Sequence, residues 1–466
     1  MNDNRTPSRR SFLKQAGILG TASALTASSL QASDKKGAKP TPSRAKNLIF
    51  LVSDGMGSGT LSLANHWSQR QKDRCLHWMD LYNRGGWQNA LQDTASASSP
   101  VTDSAAAGSA WGSGQRVNNR SINYSTDGRA LEPIFYKAKK AGKATGLVST
   151  CRITHATPAA FVANVPHRDD EDTIAEQYLE RGLDVYLGGG LRHFQSEKRD
   201  LLPAFAGKGY AVCRNMQDLV TLDEKRDQLI GLFSESHIPY AIDRANDPSL
   251  SSVPGLEQMF QSALDTLGDR LEGFVLQVEA GRVDHAGHAN DPAAILHEQL
   301  EFDRCIPIAL DFMEQHPDTL VIVTTDHGTG GCQLNGIGDG YNGSGAALDR
   351  ISRMNGSFES LEEIFRKEGR FVAEAFTRVT GLVATEEQAG KIESAMESGQ
   401  KYLSSVIADV FLPELMELTG VGWTSHQHTA EPVVFLAAGP GADAIPDFFE
   451  NHRLNAYLRT ALGLNA

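Results

Sequence analysis

The feature that most constrains this chain is a recurrence of short apolar runs, each ending abruptly in glycine or polar residues. They are Leu48 to Val52, Ala144 to Val148, Val185 to Leu187, Leu229 to Phe233, Phe274 to Val278, Leu320 to Val323 and Val433 to Leu436. Runs of this length without polar alternation read as strands buried on both faces. Helical patterning lies between them, as in Asp172 to Gly182, Gly255 to Leu267 and Ala293 to Phe312. Such alternation over 466 residues predicts an α/β fold: a doubly wound, mostly parallel central sheet with helices on both faces.

Other segments stand apart from this pattern. Ser8-Arg9-Arg10-Ser11-Phe12-Leu13-Lys14 is a twin-arginine pattern, followed by small apolar residues from Ala16 to Leu30 and a cleavage region near Gln31-Ala32-Ser33. At about 15 residues, that run is shorter than the ~20 a membrane-spanning helix needs. Residues 1–33 therefore read as a signal peptide for export of the folded protein to the periplasm or beyond. Residues 34–46, rich in Lys, Pro, Gly and Ser, read as a flexible linker, and 47–466 as the folded domain, with no membrane span in the mature chain. From about 333 to 424 a Gly-rich opening leads into charged helical stretches, read as an insertion capping the sheet's ligand-binding edge.

Acidic side chains outnumber basic ones, 57 to 44, so a nucleic-acid backbone would be repelled over most of the surface. The five cysteines show no C-x-x-C spacing, which argues against a zinc ribbon and leaves at least one thiol unpaired.

In open α/β sheets ligands sit beyond the carboxyl ends of the strands. Here that edge receives Asp54 after the first run, Glu279, Asp284 and His288 after the fifth, and Asp326-His327 after the sixth. His428 precedes the last run. Singly, each has an ordinary explanation as a turn residue, helix cap or surface ion pair. Together they form a set of hard oxygen and imidazole donors that suits Zn²⁺ or Mg²⁺ and exceeds what one ion needs. Two metals about 3.5–4 Å apart clamp both oxygens of an in-line displacement. Ser104, after Asp103 and before Ala105-Ala106-Ala107-Gly108, opens a predicted helix whose small residues would let backbone approach a ligand. It is either a capping residue or a nucleophile.

These segments occur in one order: SDGMG at Ser53, VTDSAAAG at Val101, THATPAAFVANVPHR at Thr154, VEAGRVDHAGH at Val278, TTDHGTGG at Thr324 and HTAEPVVFLAAGPG at His428. In that order they resemble the alkaline phosphatase family. The resemblance implies hydrolysis of small-molecule phosphate monoesters through a phosphoseryl intermediate on Ser104, with two Zn²⁺ and one Mg²⁺. It implies Asp284, His288 and His428 at one zinc, Asp54, Asp326 and His327 at the other, and Asp54, Thr157 and Glu279 at the magnesium. Arg168 would fork onto phosphate. Homodimers are common among such enzymes.

His155 stands where some members carry Asp, and either binds a metal or orients its waters. His285 stands where some carry Lys, and contacts phosphate through water or supports its neighbours. A sulfatase is disfavoured because Ala106 and Gly108 occupy the places of that family's Pro and Arg. A phosphodiesterase of the same superfamily, or an exported binding protein without turnover, remains as an alternative.

Overall fold

The computed structural model describes residues 44–222 and 226–464. The signal-peptide reading and most of the linker lie outside the described residues. Of the linker's last residues, Ala45 is buried and its N–H donates to the Ala461 carbonyl at 2.8 Å.

Ten strands form one sheet: β1 (Asn47–Ser53), β2 (Trp87–Asp93), β3 (Ala144–Arg152), β4 (Val185–Gly189), β5 (Ala211–Cys213), β6 (Leu229–Leu232), β7 (Phe274–Ala280), β8 (Thr319–Thr324), β9 (Val433–Ala438) and β10 (Phe448–Glu450). Their spatial order is β10-β2-β9-β8-β1-β7-β3-β4-β6-β5. Every pairing is parallel except those of β9, which runs against both β8 and β2. All seven apolar runs are strands of this sheet.

Burial on both faces explains those continuous runs. Along β1, Leu48, Phe50 and Val52 pack into one core with Trp111, Phe135 and Phe161, while Ile49 and Leu51 pack into the other with Phe260, Leu296 and Phe302. Each such side chain contributes about 1.5–3 kcal/mol by leaving water. The flanking helices include Glu171–Arg181, Leu256–Leu267 and Pro292–Gln315.

Register then sets the functional edge. Val52 of β1 lies opposite Thr324 on one side and Glu279 on the other. The residues following these positions therefore emerge at one level. Because β9 is reversed, its entrance lies at that same edge. There the short ladder pairing Thr329 with His428 brings in a residue from far along the chain.

Residues 333–424 carry helices Ser344–Arg350, Phe358–Glu368, Ala373–Thr380, Glu386–Glu397, Leu403–Val410 and Leu412–Thr419. Their base is closed by Gln333–Leu334 pairing with Val421–Gly422. The Asp291 carboxylate ties this segment to the sheet's helices: Oδ1 accepts from Ala293 and Ala294 at the start of Pro292–Gln315, and Oδ2 from Phe358 N at 2.6 Å.

Candidate active site

Asp54 leaves β1 into Gly55, whose φ of +72° favours glycine and whose added Cβ would lie 2.7 Å from Asp284 Cα. The absence of a side chain there lets the turn after β1 close against the Arg282–His288 helix. Gly55 N and His327 N both donate to Asp326 Oδ1 at 3.1 Å, which fixes that carboxylate between two strand ends. On the Arg282–His288 helix, Asp284 and His288 share a face as their spacing predicted, with His288 Nε2 3.5 Å from Asp284 Oδ2. His428 Nε2 reaches Asp284 Oδ1 at 3.3 Å.

Asp54, Glu279, Asp284 and Asp326 are all buried. Asp54 Oδ1, Asp326 Oδ2, Glu279 Oε1 and His155 Nδ1 have no hydrogen-bond partner among the described residues. Buried unpaired carboxylates are costly, and protonation relieves them. Burial, then repulsion from Asp326, Asp284 and Glu279, holds Asp54 well above the usual carboxylate range. Burial likewise pushes Glu279 and Asp326 up to about 7. At Asp284 burial acts upward too, but His288 and His428 outweigh it and hold that carboxyl well below the usual range.

The two histidines carry their own signature. His288 Nδ1 faces the His426 carbonyl and His428 Nδ1 the Thr102 carbonyl, so both Nδ1 atoms donate. Their Nε2 atoms, 3.0 Å apart, then present two lone pairs to each other, an arrangement that calls for a shared proton or a cation. Donor atoms converge within 4.8 Å in three sets: Asp54, Asp326 and His327; Asp284, His327 and His428; and Asp54, His155 and Glu279. Thr157 joins the last through a 3.0 Å hydrogen bond to Asp54 Oδ2.

Ser104 is the first residue of the Ser104–Ser113 helix and is buried, its Oγ 3.2 Å from His327 Nε2. Asp103 caps the helix through Ala106 N, and its Oδ2 accepts from Arg168 Nη1 at 3.0 Å. Arg168 Nη2 meets His155 Nε2 at 3.0 Å. Two glycines of this helix let it pack closely on a neighbour. An added Cβ at Gly108 would sit 2.8 Å from Ala160 Cβ, and one at Gly112 2.0 Å from the Ala160 carbonyl oxygen. They let the helix pack on Ala156–Ala160, which carries Thr157.

Several partners had no sequence signal of their own. Thr329 Oγ1 donates to Asp284 Oδ1 and approaches His327 Nδ1 at 3.3 Å, and Ser149 Oγ donates to Glu279 Oε2. Cys151, His237 and His285 form a fourth convergent set. There, however, Arg282 Nη1 donates to His285 Nδ1 at 3.0 Å and the Arg152 backbone N–H to His237 Nδ1 at 3.3 Å, with Arg152 Nη1 against His237 Nε2. One lone pair of each ring is taken and two guanidinium charges stand beside them, which disfavours a cation. All five cysteines are free thiols.

A buried serine at a helix start, set among convergent carboxylates and imidazoles at the edge of a mostly parallel sheet, defines the class: an α/β protein with donor sets that could hold metal ions beside a hydroxyl. The alkaline phosphatase family model matches residues 45–464. Alkaline phosphatase 4 of Bacillus subtilis is 31% identical over 446 residues, covering 92% of each chain, and alkaline phosphatase 3 of the same organism is 30% identical over 444 residues, covering 93% of each. The crystal structure of Thermus thermophilus alkaline phosphatase superposes with a TM-score of 0.83 at 38% identity, covering 91% of this chain and 92% of that one. The chain belongs to the alkaline phosphatase family, and is a phosphatase.

Proposed function

We propose that this phosphatase hydrolyses phosphate monoesters outside the cytoplasm, with Ser104 as nucleophile and with two Zn²⁺ and one Mg²⁺ in the cluster. The observation that carries the reading is a buried Ser104 hydroxyl 3.2 Å from His327 Nε2, with Asp326 Oδ2 and Asp54 Oδ1 at 3.2 and 3.6 Å from that same nitrogen and without a hydrogen bond among the described residues. Donors of this kind, without thiolate, fit such ions. Asp284, His288 and His428 would hold one zinc, and Asp54, Asp326 and His327 the other. Asp54, Thr157 and Glu279 would hold the magnesium, with His155 as a further donor or as a partner to its waters. Bound there, the ions would neutralise charge on oxygen and lower the pKa of nearby hydroxyl and water.

Ser104 Oγ releases its proton to solvent and bonds to phosphorus as the bond from phosphorus to the ester oxygen breaks. The departing alkoxide takes a proton from water and leaves hydroxide. Hydroxide then attacks phosphorus, the bond to Oγ breaks, Ser104 Oγ takes back from solvent the proton it released and inorganic phosphate leaves; one water is consumed per ester. Arg168 offers a planar fork to two phosphate oxygens, and Asp103 orients it from Nη1. Charge gathers on oxygens beside the buried Ser104, Asp54 and Asp326, where fixed donors act more strongly than in water. The twin-arginine pattern supports export of the folded chain, and dimerisation follows family habit.

Acid quenching during turnover of an aryl phosphate should trap phosphate on Ser104, located by mass spectrometry, and Ser104→Ala should lower turnover by orders of magnitude. Phosphate on another residue, or near-normal turnover of the variant, rejects the assignment.

A further inference from the structure

Arg282 lies one helical turn before His285 and is buried, with its side chain 2% exposed. Three groups hold its guanidinium. The Tyr240 ring lies beneath it at 3.8 Å, Glu359 Oε1 accepts from Nη2 at 2.6 Å, and His285 Nδ1 lies 3.0 Å from Nη1. A guanidinium has donors only, so His285 Nδ1 must accept. A neutral imidazole that accepts at Nδ1 carries its proton on Nε2.

That nitrogen makes no hydrogen bond to the described residues. The His285 ring stands edge-on to His237 at 4.3 Å and to His155 at 5.4 Å, and His155 contacts the Arg168 guanidinium. A fixed Nε2–H on His285 is therefore a donor available beside the proposed phosphate site. Glu359, which steadies Arg282 from the far side, opens the Phe358–Glu368 helix of the 333–424 segment.

We propose that Arg282 is a positioning residue: clamped between Tyr240 and Glu359, it locks His285 as an Nε2–H donor toward the bound phosphate oxygens, and so links the 333–424 segment to the site. The step toward phosphate rests on the phosphatase mechanism proposed above, whereas the tautomer does not. Lysine, a point donor, cannot serve Glu359 and His285 together as the planar fork does.

The test is imidazole ¹⁵N NMR of the full chain, with the His285 signals assigned by their loss in His285→Gln, beside steady-state hydrolysis of an aryl phosphate. Wild type should show His285 with Nδ1 bare and Nε2 protonated. Arg282→Met should mix the tautomers and lower kcat/KM by about 10-fold, the size expected for removing a residue that orients a ligand contact. In the His285→Gln background the same change should add less than about 2-fold, because coupled sites are not additive. Glu359→Ala, which removes the acceptor from the 42% exposed side of the ion pair and leaves the Tyr240 and His285 contacts in place, should give the same shift in weaker form. A single Nε2–H tautomer persisting in both Arg282→Met and Glu359→Ala overturns the proposal, as does a full additive loss in the double variant. Absence of turnover in wild type with the expected tautomer would instead strike the proposed mechanism.

Discussion

Gly112→Ala tests whether the small residues beside Ser104 exist for helix packing. The new Cβ would lie 2.0 Å from the Ala160 carbonyl oxygen and 3.0 Å from its carbon, so the Ser104–Ser113 helix and Ala156–Ala160 must separate by about 1 Å to reach ordinary contact. Backbone blocks the way, and no flexible side chain can swing aside. Overpacking of this kind costs about 1–3 kcal/mol, occasionally more. The unfolding entropy of a domain this large translates each kcal/mol into only about 1 °C, so urea midpoints are a better readout than Tm. The shift also moves Ser104 relative to Thr157, and misplacement near 1 Å can cost about 100-fold in turnover. Gly108→Ala, which meets a methyl group at 2.8 Å, should follow in the same direction but more mildly. Gly390 provides the opposite sign: it lies inside Glu386–Glu397 with nothing within 4 Å, so alanine there should stabilise by about 0.5–1 kcal/mol. A Gly112→Ala protein as stable and active as wild type would refute the packing argument.

Glu298 is buried, with Oε2 unpaired, and burial followed by repulsion from Glu301 pushes it up to about 8 from 4.5. A carboxyl raised on folding contributes stability that is full below 4.5 and lost as pH rises through about 8, so Glu298→Gln should flatten the alkaline fall in urea midpoint between pH 6 and 9. An unchanged slope would contradict this. Asp54, Glu279 and Asp326 are raised in the same sense, so metal-stripped protein should lose stability as pH climbs through about 7, while Zn²⁺ and Mg²⁺ should restore it. Scanning fluorimetry with and without chelator at pH 5.5 and 8.5 reads the effect. A chelator penalty equal at both pH values would count against cations among these carboxylates.

The seven central strands were legible because burial on both faces leaves no polar alternation to confuse them. β2 was not, since its burial alternates near the sheet's flank, and β5 and β10 hold too few residues to carry a pattern. Nothing in Val433–Ala438 encodes its reversal; the antiparallel register with β8 is a tertiary fact. The donor set was readable because strand-end acids and histidines are costly to place together without purpose. Its supports were not, because Ser149 meets Glu279, Thr329 meets Asp284 and Arg282 meets Glu359 only through the fold. Small residues in Ala105 to Gly108 signal close approach without naming the partner, and at Gly108 one partner is Ala160.

If the buried donors form a cation-dependent monoesterase site, phosphate release from an aryl monoester at alkaline pH, by residues 34–466 supplied with Zn²⁺ and Mg²⁺ or with chelator, and beside a matching diester, shows it most directly. Turnover abolished by chelator and favouring the monoester is the predicted result. Turnover that survives chelation, a preference for the diester, or no turnover of either ester by metal-loaded protein would contradict it.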